Sequence, residues 1–172
     1  MSGLIHLYCG EGKGKTTAAM GLALRAAGAG KRVLLLQFFK DGSSSEVQAL
    51  RSFDLVEVVD HKQRFGFFWT LSDEEKERAR AYYTDLLEEV MARSREYDLL
   101  VLDEAMSACT NKVIDEKRLL TLLSDKPEGL EVVLTGRNPS QNMIDRADYV
   151  TEMRKVKHPF DRGIPARLGV EY

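Results

Sequence analysis

A glycine-rich segment between a strand pattern and a helix pattern constrains this chain more than any other feature. The apolar strand pattern covers Leu4–Cys9, and the helix pattern covers Lys15–Ala29. Glycines allow backbone N–H groups to close around an anion, and the first turn of a helix directs its unpaired N–H groups at the same place. We therefore predict that the segment binds the polyphosphate of a nucleotide, Mg²⁺ with ATP, through Gly10, Glu11, Gly12, Lys13, Gly14, Lys15, Thr16 and Thr17.

Two side chains of this phosphate loop suit such a ligand. Lys15 supplies a positive charge for the terminal phosphates, and the hydroxyl of Thr16 is a ligand for Mg²⁺. The usual pattern G-x-x-x-x-G-K-[ST] has a glycine where this chain has Cys9, so the loop is one residue shorter between its outer glycines. We expect phosphates to bind, but the register of the β and γ positions is left open. The alternative interpretation is a tight strand-to-helix turn without a ligand.

The rest of the chain alternates apolar runs of strand length with periodic runs of helix length. This alternation is typical of an α/β fold with a mostly parallel sheet and helices on both faces. We predict one domain spanning residues 1–172. The predicted strands are Leu4–Cys9, Val33–Phe38, Leu55–Asp60, Leu99–Leu102, Glu131–Thr135 and Tyr149–Val156. The predicted helices are Lys15–Ala29, a long helix opened by a Ser72–Glu75 capping box, Asp115–Ser124 and Ser140–Ala147.

Charge and cysteine content narrow the class of function. The formal net charge is −2, so no overall field attracts the chain to nucleic acid or to an anionic membrane. Cys9 and Cys109 lie far apart and form no C-x-x-C pair, which argues against a disulfide framework and fits a reducing compartment. No apolar run approaches the length of a membrane span, and no secretion signal precedes the first strand. We expect a cytoplasmic protein.

Charged residues follow two of the predicted strands. Asp103 and Glu104 come directly after an apolar strand, and Arg137 follows the next strand along the chain. The carboxyl ends of parallel strands meet at one edge of a sheet, where ligands bind. Asp103 or Glu104 is therefore a candidate to hold Mg²⁺ directly or through water, and Arg137 to contact phosphate. An ordinary acidic loop and an ordinary surface arginine are the alternatives.

Several segments, taken together in their order along the chain, resemble the ATP:corrinoid adenosyltransferases of the cobalamin-biosynthesis type. The phosphate loop looks like that family's variant loop, and the resemblance covers nearly the whole chain. It implies a P-loop NTPase-like, RecA-like fold. The other matching segments are Val33–Lys40, Gly66–Trp69, Leu102–Glu104, Val133–Asn138, Asp148–Met153 and Lys157–Ile164. The chain differs from many members in its short segment before the first strand and in the Lys40–Glu46 loop, so how the site closes is left open.

The resemblance implies transfer of the 5′-deoxyadenosyl group from ATP to cobalt(I) of a corrinoid, with release of inorganic triphosphate. Cobalt(I) is then the nucleophile, the corrinoid is a substrate, and the nucleotide is held in the reverse direction. The implied roles are phosphate binding by Gly10–Thr17 and Arg137, with Lys15 acting in catalysis, and metal binding by Thr16 and Glu104. Phe67 and Trp69 would press on the lower face of the corrinoid, and Arg25 would approach the nucleotide. A homodimer and a flavoprotein electron donor are also expected.

Two other functions are left open by the residues alone. A kinase or ATPase of another kind would release ADP, and a regulatory or corrinoid-chaperone module would bind ATP without turnover. Analysis of the released phosphate separates the three functions. The aromatic stretch Phe65–Trp69 has a plainer interpretation as core packing beneath a loop. The Tyr82 and Tyr83 stripe of the long helix is also interpreted as core packing.

Overall fold

The computed structural model describes residues 2–40, 44–66 and 68–171, apart from the side chain of Trp69, and contains six strands and six α-helices in those ranges. The strands are β1 Ile5–Cys9, β2 Val33–Gln37, β3 Val56–Val58, β4 Leu99–Asp103, β5 Glu131–Thr135 and β6 Tyr149–Glu152. The helices are α1 Lys15–Gly28, α2 Ser45–Leu50, α3 Asp73–Arg93, α4 Ala105–Thr110, α5 Glu116–Ser124 and α6 Gln141–Arg146. Short 3₁₀ helices cover Phe68–Thr70, Ser94–Glu96 and Pro159–Arg162.

The six strands form one parallel sheet in the order β3-β2-β4-β5-β1-β6. The inner strands β2 and β4 are buried along their whole length, which is why their sequences are nearly continuous apolar runs. The register pairs Gln37 with Asp103 and Tyr8 with Thr135. The carboxyl ends of β1, β2, β4 and β5 therefore meet at one edge of the sheet, as the sequence predicts.

Helices cover both faces of the sheet, which confirms the predicted fold class. One core packs α1 and α2 against the sheet through residues such as Ala19, Ala23 and Leu50. The other core packs the remaining helices against the opposite face, with Leu87 of α3 and Leu119 of α5 nearly fully buried. None of the helices in the described ranges combines the length and the apolar character that a membrane crossing requires.

The long helix begins where its cap predicts. The Ser72 hydroxyl accepts from the backbone N–H of Glu75, and the Glu75 carboxylate accepts from the N–H of Ser72. This reciprocal pair satisfies two N–H groups that the first turn leaves unpaired. Its buried stripe includes Ala79, Tyr83 and Val90, at the predicted helical spacing.

Two predicted strands are shorter than expected. Strand β3 at the sheet edge is limited to Val56–Val58, the three residues that pair with β2, and Leu55 before it is exposed. Strand β6 stops at Glu152 instead of Val156, because its partner β1 stops at Cys9. Two helices were not predicted, α2 and α4. The Lys40–Glu46 loop lies partly outside the described residues, and its residue Ser45 is the first residue of α2.

Candidate functional site

The phosphate loop follows β1 and ends at the first turn of α1. Gly10 has φ +102°, a left-handed conformation that side chains rarely adopt. The Lys15 Nζ donates to the carbonyl oxygens of Gly10 at 2.7 Å and Gly12 at 2.9 Å, so the lysine lies across its own loop. Burial lowers the pKa of Lys15, and the nearby Arg137 charge lowers it further. This loop has the shape and charge to enclose an anion at the start of the helix.

The glycines of the loop also allow close packing against the chain that follows β6. A Cβ on Gly10 would lie 2.6 Å from the Met153 carbonyl oxygen, and one on Gly12 would lie 2.5 Å from it. The backbone N–H of Gly12 donates to that oxygen at 2.6 Å, and the N–H of Met153 donates to Cys9 O at 2.8 Å. The pattern G-x-x-x-x-G-K-[ST] does not require a glycine at position 12, and this close packing explains why Gly12 is present. The N–H of Gly12 is already used in its hydrogen bond to the Met153 carbonyl oxygen.

Asp103, the last residue of β4, connects β4 to the carboxyl ends of β2 and β5 and to the first turn of α1. Its side chain is fully buried. Its Oδ1 accepts from the Thr16 hydroxyl at 2.8 Å and from the Thr135 hydroxyl at 2.6 Å. Its Oδ2 accepts from Gln37 Nε2 at 2.9 Å and from Lys40 Nζ at 3.0 Å. A buried carboxylate is tolerated when donors surround it, and here three neutral donors and one ammonium do so.

Glu104 follows Asp103 in a left-handed conformation, with φ +62°. Its backbone N–H donates to the Thr135 hydroxyl at 2.9 Å, and its Oε2 accepts from the Ser107 hydroxyl at 2.5 Å. A non-glycine residue in this region is strained by about 1–3 kcal/mol, and such strain clusters at functional sites. The strain and the two hydrogen bonds fix the position of the carboxylate beside the loop.

A cavity of about 550 Å³ opens beside the phosphate loop, within the size range of small-molecule sites. One wall is polar and is formed by Lys13, Gly14, Lys15, Thr16, Thr17, Lys40 and Glu104. Another wall carries rings, those of Phe39, His61, Phe65 and Tyr83. The arrangement can hold a charged polyphosphate on one side and a large flat group on the other.

The rings of the cavity wall belong to one aromatic cluster. Phe65 lies 5.6 Å from Tyr82 and 5.9 Å from Tyr83 between ring centroids, and His61 lies 5.8 Å from Tyr83. His61 Nε2 lies 2.7 Å from the Gln37 carbonyl oxygen, which acts as the acceptor. Tyr82 and Tyr83 pack against the core as expected, but Tyr83 also lines the cavity. The core interpretation of the tyrosines was therefore incomplete.

The remaining predicted residues are placed as follows. Arg137 forms an ion pair with Glu11 at 3.0 Å, at the outer side of the loop. Arg25 is exposed in the last turn of α1, about 15 Å from Lys15 along the helix, and is not among the described residues that line the cavity. Phe67 lies outside the described residues. The backbone of Trp69 forms part of the 3₁₀ helix Phe68–Thr70.

The oxygen atoms at the carboxyl edge of the sheet are suitable ligands for Mg²⁺. Within the described ranges no group of three or more His, Cys, Asp or Glu side chains could hold a metal ion. Mg²⁺ needs no such cage, because it is commonly held by one or two carboxylates together with substrate phosphates. Thr16, Asp103 and Glu104 offer oxygen ligands. Among the described residues, the buried amide oxygen of Gln37 has no hydrogen-bond partner, although its amide nitrogen bonds Asp103. This unpaired oxygen also fits a site for a hydrated cation.

Sequence reasoning missed three residues of this site. Gln37, Thr135 and Lys40 all bind Asp103, yet none of them was a candidate. The sequence could have indicated Gln37 and Thr135, because each lies at the carboxyl end of a predicted strand and these ends meet at one edge of the sheet. Lys40 lies beyond the strand, and the sequence does not show where its side chain points.

The chain is similar to known proteins over its full length. A family model described as "ATP:corrinoid adenosyltransferase BtuR/CobO/CobP" matches residues 1–172. The corrinoid adenosyltransferase of Pseudomonas aeruginosa is 35% identical over 170 residues, which cover 99% of this chain and 84% of that protein. The corrinoid adenosyltransferase CobA of Salmonella typhimurium is 34% identical over 170 residues, which cover 99% of this chain and 86% of that protein.

A solved structure shares the fold. EssC (ATPases 2 and 3) from Geobacillus thermodenitrificans superposes with a TM-score of 0.55 at 16% sequence identity. The match covers 98% of this chain and 36% of the other, so this chain spans about a third of that structure's length. A likeness at this identity concerns the fold alone, and it is consistent with a P-loop NTPase-like arrangement.

Proposed function

This chain belongs to the family of ATP:corrinoid adenosyltransferases, and on that premise we propose that it transfers the 5′-deoxyadenosyl group of ATP to cobalt(I) of a corrinoid, releasing inorganic triphosphate. The observation that carries the proposal is the full-length family match. The cavity supports it, because a phosphate loop and an aromatic wall border the same space. The chain is accordingly a transferase.

The proposed reaction requires the protein to position its substrates and to stabilise charge. The electron pair of cobalt(I) forms a bond to C5′ of ATP, the C5′–O bond breaks, and its electron pair leaves with the triphosphate. No side chain is needed as nucleophile. The protein holds C5′ and cobalt in line and stabilises the charge that develops on the leaving oxygen.

The phosphate loop supplies that stabilisation in the proposed mechanism. The N–H groups of Gly14–Thr17 at the start of α1 and the ammonium of Lys15 bind the triphosphate. Arg137, which now pairs with Glu11 at the loop, is close enough to take part after a change of rotamer. The engaged N–H of Gly12 leaves fewer donors on the β1 side of the loop.

We propose that Mg²⁺ accompanies ATP and supplies further charge neutralisation when it is bound. Thr16 would offer its hydroxyl, Glu104 its carboxylate, and Asp103 would act directly or through water. Thr16 and Glu104 line the cavity, and the buried Asp103 accepts a hydrogen bond from the Thr16 hydroxyl, which supports the assignment.

The finer features of the function are proposals as well. We propose a cytoplasmic homodimer that receives electrons for its corrinoid from a reduced flavoprotein. Exposed apolar residues on the edge strand β6, Tyr149 and Val150, support association with a second copy. Phe67 and Trp69 are proposed to contact the lower face of the corrinoid.

The test is incubation of the protein with ATP, Mg²⁺ and chemically reduced cob(I)alamin, with absorbance reporting the cobalt–carbon product. Phosphate analysis identifies the leaving group. Triphosphate in equal amount to the alkylated corrinoid is the expected result. Orthophosphate with ADP would indicate a hydrolase or kinase, and ATP binding without any release would indicate a binding module. Either outcome would overturn the proposal.

A further inference from the structure

Lys40 lies against the oxygen atoms at which a divalent cation is expected. Its Nζ is 3.0 Å from Asp103 Oδ2 and 3.3 Å from Thr16 Oγ1. The Asp103 side chain is fully buried, whereas that of Lys40 is 37% exposed and faces the cavity. A partly exposed lysine ammonium is thus paired with a fully buried carboxylate.

The hydrogen bonds around Lys40 have only one consistent direction. An ammonium donates and cannot accept, so both Thr16 Oγ1 and Asp103 Oδ2 accept from Lys40. The Thr16 hydroxyl uses its own proton on Asp103 Oδ1, at 2.8 Å. Its remaining lone pairs are therefore directed at a cation. In the described structure that cation is the lysine.

A divalent cation would need the same lone pairs. Mg²⁺ at about 2.0–2.1 Å from the Thr16 oxygen would lie within a few ångströms of the ammonium. Like charges at that distance repel strongly at a partly buried site. The two cations therefore exclude one another. Asp103, in turn, must keep one of them, because a buried carboxylate without a counter-ion is destabilising.

We propose that Lys40 is an internal counter-ion of Asp103, and that the divalent cation arriving with the nucleotide takes its position and displaces it into the cavity. The exchange keeps Asp103 neutralised in both states. It also makes a cation without nucleotide a poor ligand, because that cation must replace a tethered charge. The inference rests on the proposed function only in requiring a nucleotide with a divalent cation.

Lys40→Met tests the exchange by calorimetry of ATP binding without corrinoid. The measured quantity is the ratio of the dissociation constant for ATP in EDTA to that in saturating Mg²⁺. In the unmodified protein, part of the ATP affinity that Mg²⁺ adds is offset, because Mg²⁺ displaces Lys40 from its ion pair with Asp103. The ratio should rise about 2- to 5-fold in the variant, the range expected for an ion pair with a partly exposed lysine. Lys31→Met is the matched control, because Lys31 pairs with Asp98 at 3.3 Å in an exposed position.

Thermal unfolding supplies a second measurement that does not depend on ATP. Without nucleotide and in EDTA, Lys40→Met should unfold at a lower temperature than the Lys31→Met control, since Asp103 has lost its counter-ion.

An unchanged ratio of the two ATP dissociation constants would overturn the proposal, because the ammonium and the metal would then be compatible. A lower ratio would overturn it too, since Lys40 would then contact phosphate. Absence of ATP binding in the parent would remove the proposed function and this inference together, whereas failure of adenosyl transfer alone would leave the exchange measurable.

Discussion

Lys15 is the residue of the phosphate loop whose replacement should affect ATP most. Its ammonium is held by two loop carbonyls, so it is already positioned where phosphate oxygens would replace or join them. Loss of a charge-assisted contact of roughly 1.5–3 kcal/mol corresponds to about 10- to 150-fold weaker binding. We expect Lys15→Ala to show this loss in calorimetry while its circular dichroism stays that of the parent. Lys31→Ala serves as control, and unchanged affinity in folded Lys15→Ala would refute the assigned role.

Glu104 should act through the metal. Its carboxylate is fixed by the Ser107 hydroxyl at 2.5 Å, and a glutamine can keep that hydrogen bond while losing the charge. We therefore expect Glu104→Gln to raise the Mg²⁺ concentration for half-maximal activity about tenfold or more, equivalent to about 1.4 kcal/mol. ATP binding in EDTA should change little. A magnesium titration with the same midpoint for both proteins would rule out Glu104 as a ligand.

The two thiols should be unreactive in the folded protein. Burial raises the pKa of Cys109 to about 12 from 9.0, with the charges of Glu116 and Asp115 adding to it, and burial likewise raises the pKa of Cys9. Because the thiolate is the reactive form, iodoacetamide at pH 8 should label the native protein far more slowly than the chain in denaturant. Equal rates would contradict the burial.

The raised pKa of Cys109 also has a consequence for stability. Above about pH 9 the unfolded chain releases the thiol proton, whereas the folded chain retains it until about pH 12. The free energy of unfolding should therefore fall as the pH rises through this window, by up to about 1.4 kcal/mol per pH unit from this group. Cys109→Ala should flatten that fall in urea titrations at pH 9 and 10.

At the scale of elements, the segment between β3 and α3 is the least regular part of the site. Phe65 and Phe68 pack against the core, and the Arg80 guanidinium lies 5.6 Å from the Phe68 ring centroid. These contacts hold the Phe65 and Phe68 side chains at the core surface. The same stretch of sequence contains Phe67 and Trp69, for which contact with a flat ligand is proposed.

Phe67→Ala combined with Trp69→Ala tests that role. An apolar wall that displaces the lower ligand of cobalt(II) makes reduction easier, and every ~59 mV changes a one-electron equilibrium tenfold. We expect the double variant to lose turnover from cobalt(II) with a flavoprotein reductant, but to keep much of its rate on pre-reduced cobalt(I). Phe53→Ala, at an exposed turn, is the control. Equal losses on both substrates, or an unchanged paramagnetic resonance spectrum of bound cobalt(II), would make these residues ordinary packing.

The elements that sequence analysis predicted well carry strong local signals. The capping box fixed the start of α3, and continuous apolar runs located β2, β4 and β5. The helices α2 and α4 have six residues each, too few for a helical period to emerge, and neither has a side-chain N-cap. Helix α6 is equally short, but Ser140 caps its start. The end of β6 depends on where β1 stops, which is a property of the sheet and not of the segment.

The same distinction applies to the site. The phosphate loop and Asp103 were predictable because each follows a strand, and strand ends meet. The convergence of Gln37, Thr135 and Lys40 on one carboxylate depends on the order of strands and on side-chain direction. Neither the strand order nor the side-chain direction can be predicted from the residues around each position. The packing of Gly12 against Met153 was likewise hidden, because the two residues are distant in sequence.

At the scale of the whole molecule, a nucleotide should stabilise the fold by joining parts that are distant in the chain. Thr16 and Lys15 belong to the start of α1, whereas Glu104 follows β4 in the other half of the sheet order. A ligand that binds only the folded state at 100 times its dissociation constant adds about 2.7 kcal/mol. For a chain of this size the unfolding midpoint should rise by roughly 5–11 °C. Differential scanning fluorimetry with MgATP measures the rise, and Lys15→Ala should lose about half of it or more at the same ATP concentration.

The contact of the phosphate loop with Met153 has a consequence for the timing of protein synthesis. The loop is translated among the first 17 residues, but the backbone that Gly12 and Cys9 bind is translated about 140 residues later. At 5–20 residues per second, the nascent chain exposes an incomplete loop for roughly 7–28 seconds. A ribosome-bound chain arrested before residue 149 should retain less labelled ATP than one extended at its C-terminus by a linker long enough to carry residue 153 out of the exit tunnel. We therefore expect the newborn protein to take up ATP only after its last strand has emerged.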